Sequence, residues 1–256
     1  MLDVRNVGVT FGGLAALDGV SFRVDRNEIA SVIGPNGAGK TTLFNVITGF
    51  RKPTCGEVSF LDETMIGVAP NAIARRGVVR TFQKTEVFPG LTLLECVRMG
   101  TLCHRRFSVW DVLRGGAALR DFERGAAARA LELLDFVGLG GKGDQLARAL
   151  SYGEQRLLEV AVCLAADPQL LLLDEPASGM NRDEAQRMGA LIGKLRANSI
   201  SVLLVEHNMA LVMDISDRIV VLHHGAKIAE GTPAEIAADR GVVEAYLGPG
   251  WNDARG

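Results

Sequence analysis

The sequence lacks any apolar run long enough to span a membrane. Its longest uninterrupted apolar stretch runs only from Val160 to Ala166, whereas a spanning helix needs about 20 such residues. The N-terminus shows no basic segment followed by an apolar one, so we expect no secretory signal and a protein that stays where it is made. Cysteines are few and form no Cys-x-x-Cys pair, so we expect reduced, mostly buried thiols and no metal site at Cys55, Cys96, Cys103 and Cys163.

Aromatic residues and net charge are also low. Phe, Trp and Tyr make up 5% of the chain, and the formal net charge is -2. These values argue against a base-stacking surface and against a basic field that attracts nucleic acid. Hydrophobic residues reach 48% and charged residues 23% of 256 residues. This composition excludes a disordered chain, and the length suits one or two domains with a full core.

The hydrophobic pattern predicts an α/β fold with two kinds of strand. Alternating apolar residues from Val7 to Phe11 and from Val20 to Val24 indicate half-buried strands, which we expect to form an N-terminal antiparallel region. Continuous apolar runs are typical of a mostly parallel sheet buried on both faces. They occupy Leu170–Leu173 and Val202–Val205, and a further short apolar strand is predicted at Ile29–Ile33.

A stretch rich in Ala, Leu and Arg interrupts these strands. Ala126 to Val137 has helical spacing, whereas 102–124 is rich in Arg and poor in periodicity. We therefore predict one domain, in which 1–90 and 163–247 form the α/β core and 91–162 form an inserted helical subdomain. The Gly- and Pro-containing tail, 248–256, is expected to be flexible.

A glycine-rich loop between a strand and a helix matches G-x-x-x-x-G-K-[ST]. Glycines let backbone N–H groups curl around a polyphosphate, and the following helix N-terminus adds a favourable dipole. The lysine is expected to reach the β- and γ-phosphates, and the first threonine hydroxyl to bind Mg²⁺. The predicted phosphate-binding residues are Gly34, Pro35, Asn36, Gly37, Ala38, Gly39, Lys40, Thr41 and Thr42.

Two carboxylates follow a predicted buried strand in Leu170-Leu-Leu-Leu-Asp174-Glu175-Pro176. Ligands of open α/β sheets bind at the carboxyl ends of strands. Asp174 is therefore predicted to hold Mg²⁺, directly or through water. Glu175 is predicted to orient or polarise the water that attacks the γ-phosphate.

These motifs, together with Leu150-Ser-Tyr-Gly-Glu-Gln155, resemble the ATP-binding subunit of ABC transporters over nearly the whole chain. The resemblance implies a P-loop ATPase core, ATP and Mg²⁺ as ligands, and ATP bound between two ATPase subunits. It also implies roles for single residues. Gln83 would touch Mg²⁺ and the attacking water, His207 would lie near the γ-phosphate, and Phe11 would stack on adenine. A signature segment would act on the ATP of the partner subunit through Ser151, Tyr152, Gly153 and Glu154.

The signature departs from the usual family pattern, Leu-Ser-Gly-Gly-Gln. Tyr152 and Glu154 replace Gly and Gln, and a carboxylate here adds negative charge near a triphosphate unless it points away. Asn181 stands where many members have Asp, so it can still form hydrogen bonds but carries no charge. These differences concern contacts between subunits and leave the groups of the hydrolytic centre in place.

Further segments resemble the larger ATPase subunit of branched-chain amino acid importers. They include 44–50, 175–181, 205–209, 230–235 and 244–248. The resemblance implies a paralogous or identical ATPase partner, two membrane permease subunits and an extracytoplasmic substrate-binding protein, with no nucleic acid. The chain would lie peripherally on the cytoplasmic side of the inner membrane. Residues 86–90 and the start of the helical insertion are our predicted docking surface for a permease helix.

Other functions remain as alternatives. Urea and short-chain amide importers have similar ATPase subunits. A non-transport ABC ATPase is disfavoured because the chain has one ATPase unit, no heptads and no basic face. A purely regulatory module is disfavoured by the presence of Gln83, Glu175 and His207, and a GTPase by the absence of Asn-Lys-x-Asp. An exporter ATPase is also compatible with the motifs, although these are more often fused to a membrane domain.

Overall fold

The N-terminal strands form an antiparallel sheet, as their alternating pattern predicts. The computed structural model describes residues 1–81, 90–104 and 117–247. In this sheet the strand order is β2-β1-β4-β5, and Val7 pairs with Val20 and Val9 with Leu17. The strands are β1 (Leu2–Phe11), β2 (Leu14–Val24), β4 (Cys55–Phe60) and β5 (Glu63–Thr64).

A second sheet of six strands forms the centre of the molecule, in the order β10-β9-β3-β8-β7-β6. All its neighbouring pairs are parallel except β9 and β10. Every residue of β3, β7 and β8 is buried, and for β7 and β8 this confirms the prediction from their continuous apolar runs. The strands are β3 (Ile29–Ile33), β6 (Val78–Arg80), β7 (Leu170–Asp174), β8 (Ser201–Val205), β9 (Arg218–His223) and β10 (Ala226–Gly231).

Helices follow most strands and fill the predicted insertion. Around the sheet lie α1 (Lys40–Ile47), α2 (Pro70–Arg75), α6 (Arg182–Ala197), α7 (Met209–Ile215), α8 (Pro233–Ala238) and α9 (Arg240–Leu247). The insertion contains α3 (Leu93–Thr101), α4 (Ala117–Phe136) and α5 (Tyr152–Leu164), with short 3₁₀ turns at Leu102–His104 and Ala147–Ala149. One apolar cluster joins Val97, Leu134 and Leu158 of these helices to Leu171 of β7. The division at 91–162 into a subdomain therefore stays a prediction.

The cysteine prediction is partly wrong. Cys96 is buried, but Cys55 is exposed and Cys103 and Cys163 are half-buried; all four thiols are free. Cys55 begins β4, a strand of the more exposed antiparallel sheet, so its position leaves the thiol open to solvent. Within the described ranges, no helix combines the length and the apolar character that crossing a bilayer requires.

The parallel strands place three functional segments at one edge of the sheet. β8 lies between β3 and β7, and parallel strands end on the same side. The glycine-rich loop follows β3, Glu175 follows β7, and the segment with His207 follows β8. The sheet therefore brings together segments that are far apart in sequence.

Candidate functional site

Two glycines of the glycine-rich loop, Gly34 and Gly39, pack too closely against neighbouring backbone to be replaced by a residue with a side chain. Gly39 has φ +101°, and a Cβ there would lie 2.5 Å from the carbonyl oxygen of Ala16. At Gly34 a Cβ would lie 2.1 Å from the carbonyl oxygen of Leu222. Gly39 also begins α1, and no described side chain caps this helix. The first-turn amides of α1 are thus oriented as in a phosphate site.

Lys40 is buried in the same loop. Its Nζ donates hydrogen bonds to the carbonyl oxygens of Gly34, at 2.6 Å, and Pro35, at 3.0 Å. Burial lowers the pKa of Lys40, and the charges of Glu175 and Asp174 oppose this shift. The ammonium group therefore lies within the electrostatic field of the two carboxylates, where a bound phosphate would meet both signs of charge.

Asp174 ends β7 with a fully buried side chain. Its Oδ2 accepts a hydrogen bond of 2.6 Å from Arg80 Nη2, and Arg80 also donates to Asn45 Oδ1 at 2.7 Å. Asp174 Oδ1 is buried without a hydrogen-bond partner among the described residues. An unsatisfied carboxylate oxygen fits a role in binding Mg²⁺ or one of its waters, because Mg²⁺ usually keeps several waters.

Glu175 and His207 meet across the ends of β7 and β8. Glu175 Oε1 lies 3.1 Å from His207 Nε2. Glu175 has φ +50°, an uncommon conformation for a residue with a side chain. Its backbone N–H donates to the carbonyl oxygen of Val205 at 2.9 Å. Both side chains are partly open to solvent, so they are accessible to a ligand or a water molecule.

The signature segment forms the start of α5. Ser151 caps this helix: its Oγ accepts from Glu154 N–H at 3.3 Å, and Glu154 Oε2 accepts from Ser151 N–H at 3.0 Å. This is a capping box, in which two helix-end donors are satisfied. Gly153 is close to α6, because a Cβ there would lie 2.8 Å from Glu184 Oε1.

The two unusual signature residues are held within their own chain. Glu154 Oε1 accepts a hydrogen bond from Lys142, and this contact is the main cause of the lowered pKa of Glu154. Tyr152 OH accepts from Arg156 Nη2 at 2.8 Å. Glu154 is therefore directed toward Lys142 and the Ser151 amide, which offsets the added negative charge.

Asn181 keeps the helix-capping role that an Asp would have at this position. Its Oδ1 accepts from Glu184 N–H at 3.0 Å, and Glu184 Oε2 accepts from Asn181 N–H at 3.0 Å. Asn and Asp are about equally effective as N-caps. The start of α6 therefore does not require a charged residue here.

Phe11 departs from the buried pattern of β1. Val7 and Val9 are in the core, whereas Phe11 is 45% exposed. The guanidinium carbon of Arg51 lies 4.0 Å from the centroid of the Phe11 ring. The ring is therefore an exposed aromatic platform with a cation against it.

Among the predicted groups, Gln83 and the central part of the predicted docking surface, Val87 and Phe88, lie outside the described residues. Among the described residues, no hydrogen bond joins the signature segment to the glycine-rich loop of the same chain. Sequence reasoning missed the roles of Arg80, which pairs with Asp174, and of Lys142, which pairs with Glu154. For Arg80, the only signal in the sequence was its charge, three positions before the predicted site residue Gln83.

Comparison with known proteins identifies the family. The ABC transporter family profile matches residues 17–178. A second profile, of the branched-chain amino acid ATP-binding cassette transporter, matches residues 226–248. The chain belongs to the ABC transporter ATP-binding family, and it is an ATPase whose relatives work with membrane components of transporters.

Similar proteins cover almost the full length of the chain. A high-affinity branched-chain amino acid transport ATP-binding protein, BraF of Pseudomonas aeruginosa, is 43% identical over 97% of this chain and 98% of its own. LivG of Escherichia coli, with the same description, is 41% identical over the same shares. Among solved structures, the ADP conformation of MJ1267, an ATP-binding cassette of an ABC transporter, has a TM-score of 0.85 at 31% identity and covers 97% of this chain and 99% of that one.

Proposed function

We propose that this chain is the ATP-hydrolysing subunit of an importer for branched-chain or related hydrophobic amino acids. The proposed ATP hydrolysis rests on one observation: Glu175 Oε1 lies 3.1 Å from His207 Nε2, at the edge of the sheet that also bears the glycine-rich loop. The transported substrate is supported by the two amino acid transport relatives and by the profile matched at 226–248.

The phosphates of ATP would be bound by backbone N–H groups of the glycine-rich loop, in which Pro35 has none to offer, and by those of the first turn of α1. Lys40 would transfer its hydrogen bonds from the loop carbonyls of Gly34 and Pro35 to the phosphate oxygens. Phe11 would stack on the adenine through its exposed ring. These contacts hold the nucleotide in place, which is most of what phosphoryl transfer requires of a protein.

Glu175 is proposed to orient the attacking water and accept its proton. His207 would hydrogen-bond to the reacting γ-phosphate or to this water. Mg²⁺ would be held by Thr41, Asp174 and Gln83, and when bound it would neutralise charge developing on the phosphates. The unpartnered Oδ1 of Asp174 supports this assignment.

A second ATPase subunit, paralogous or identical, is proposed to complete the site. Its signature segment, equivalent to residues 151–154 here, would place the N-terminus of a helix against the γ-phosphate. The capping box and the Lys142 contact hold Glu154 within its own chain, and the ammonium group of Lys142 offsets its negative charge. ATP would contact both subunits only when they close, so binding would favour the closed state.

The remaining partners are two permease subunits and an extracytoplasmic binding protein. The chain would lie on the cytoplasmic face of the inner membrane, with the segment around residues 86–90 docked to a permease. In this arrangement the transported molecule never contacts this chain. No nucleic acid is proposed as a partner.

Reconstitution tests the proposal. The chain, its second ATPase and its permeases would be placed in vesicles, and ATP hydrolysis measured with a binding protein loaded with leucine or with urea. Stimulation by the leucine-loaded protein would support the proposed substrate. Stimulation only by the urea-loaded protein would keep the mechanism but replace the substrate, and no stimulation in the assembled complex would contradict the transport role.

A further inference from the structure

Glu206 is a buried carboxylate to which the proposed chemistry assigns no role. It lies between the last residue of β8 and His207, and it is 1% exposed. Its Oε1 accepts a hydrogen bond from the Ala177 N–H at 2.7 Å. Its Oε2 accepts from the N–H groups of His207, at 2.8 Å, and Asn208, at 3.0 Å. Three backbone amides thus compensate its buried charge.

These hydrogen bonds connect the two loops of the hydrolytic centre. Ala177 lies two residues after Glu175, in the loop that follows β7, and His207 lies in the loop that follows β8. A hydrogen bond from Glu175 N–H to the Val205 carbonyl oxygen joins the same loops at their base. Glu175 has φ +50°, and such a conformation persists only where the surrounding structure holds it.

We propose that Glu206 is a positioning residue that holds Glu175 and His207 in register for ATP hydrolysis. One oxygen fixes the loop that carries the carboxylate, and the other fixes the backbone of the histidine itself. The inference rests on the hydrolytic roles proposed above for Glu175 and His207. It adds that their 3.1 Å separation depends on a third side chain that contacts neither the substrate nor their reactive groups.

The chemistry of this position requires a carboxylate of this length. A glutamine has one acceptor oxygen, and its NH₂ group would face backbone N–H donors on the other side. The glutamine oxygen would therefore accept from the N–H of one loop, while its NH₂ group would leave the N–H of the other loop without an acceptor. An aspartate keeps the charge but is one methylene shorter, so it would not reach both loops in the observed arrangement.

The main test compares Glu206→Gln with wild type in the full-length chain. We expect kcat for ATP hydrolysis to fall about 10- to 100-fold, because small displacements of reacting groups have effects of this size. The Kd for ATP should change less than about twofold, since the phosphate loop is untouched. Glu235→Gln is the matched control: Glu235 also accepts from a backbone amide, that of Thr232 at 2.7 Å, but at the start of α8. It should leave kcat unchanged.

A second test asks whether Glu206 acts through His207. In a His207→Ala background, Glu206→Gln should lower kcat by a smaller factor than it does in wild type, because one of the two groups that it positions is already absent. If the two losses multiplied in full, Glu206 would act independently of His207 and the proposal would fail. Wild-type kcat in Glu206→Gln would also overturn it.

Histidine NMR gives a measurement that does not depend on turnover. In a ¹⁵N-histidine-labelled chain, the ring signals of His207 would be assigned by their loss in His207→Ala. We expect Glu206→Gln to shift or broaden these signals while those of His223 and His224 stay in place. Unchanged His207 signals would contradict a positioning role.

The controls separate this inference from the function on which it rests. If Glu175→Gln and His207→Ala both keep wild-type turnover, the proposed hydrolytic roles are wrong. If those variants lose activity and Glu206→Gln does not, only the positioning role is wrong. Should Glu206→Gln fail to fold, Glu206→Asp takes its place in all three measurements, with the same expected results.

Discussion

Replacing Arg80 with methionine tests the buried ion pair beneath the nucleotide site. The side chains of Arg80 and Asp174 are 9% and 0% exposed, and Arg80 Nη2 lies 2.6 Å from Asp174 Oδ2. Methionine has a comparable apolar length but no charge, so Arg80→Met leaves the carboxylate buried without its cation. Removing one partner of a buried pair costs about 3–5 kcal/mol, and a chain of this size loses about 2–4 °C in Tm per kcal/mol. We therefore expect Tm to fall by about 6–20 °C.

A double-mutant cycle separates the pair from the other contacts of Arg80. Arg80 also donates to Asn45 Oδ1, and this hydrogen bond from a charged group contributes about 1.5–3 kcal/mol by itself. The cycle uses Arg80→Met, Asp174→Asn and the double variant, each measured by denaturant unfolding. We expect the double variant to be more stable than the sum of the single losses predicts, by at least about 1 kcal/mol. A coupling energy indistinguishable from zero, or a Tm loss below about 2 °C in Arg80→Met, would refute the reasoning.

Three further predictions concern the site and its surroundings. Glu175→Gln should keep ATP binding and abolish most turnover, and a near-wild-type steady-state rate would contradict its assigned role. Phe11→Ala should weaken ATP binding by about 1–3 kcal/mol, or roughly 5- to 150-fold in Kd, by titration calorimetry; an unchanged Kd would exclude stacking. Lys142→Met should destabilise the chain by less than about 1 kcal/mol at neutral pH, because the pair is partly exposed. The contact lowers the pKa of Glu154 below its usual 4.5, so its contribution is present above that pH and disappears as pH falls below it. Equal losses at pH 7 and at about pH 2.5 would contradict this sign.

The glycine-rich loop between a strand and a helix, and the strand pattern, were predictable because they depend on local chemistry. Short apolar runs are typical of strands buried on both faces of a sheet, and all residues of β3, β7 and β8 are buried accordingly. The glycines at 34 and 39 are required by backbone contacts that leave no space for a Cβ. Requirements of this kind can be read from a sequence, because each is met by a particular residue type: an apolar residue in a buried strand, or a glycine where a Cβ has no space.

The structure corrected or completed the prediction where contacts join distant segments. The four cysteines are predicted to be mostly buried, yet Cys55 lies exposed at the start of β4. Glu154 places an extra charge in the signature, but a capping box with Ser151 and a separate hydrogen bond from Lys142 hold its side chain in place. The direction of a side chain depends on its neighbours in space, which spacing along the chain does not give.

The sequence by itself determined the class of strands, the phosphate loop and the two carboxylates after β7, because each follows from residue type and local spacing. Only the tertiary structure decided how these groups meet. Arg80 pairs with Asp174 across 94 positions, Glu175 meets His207 across 32, and Glu206 reaches Ala177 across 29. The physical reason is the parallel sheet, whose strand order places the carboxyl ends of β7 and β8 side by side.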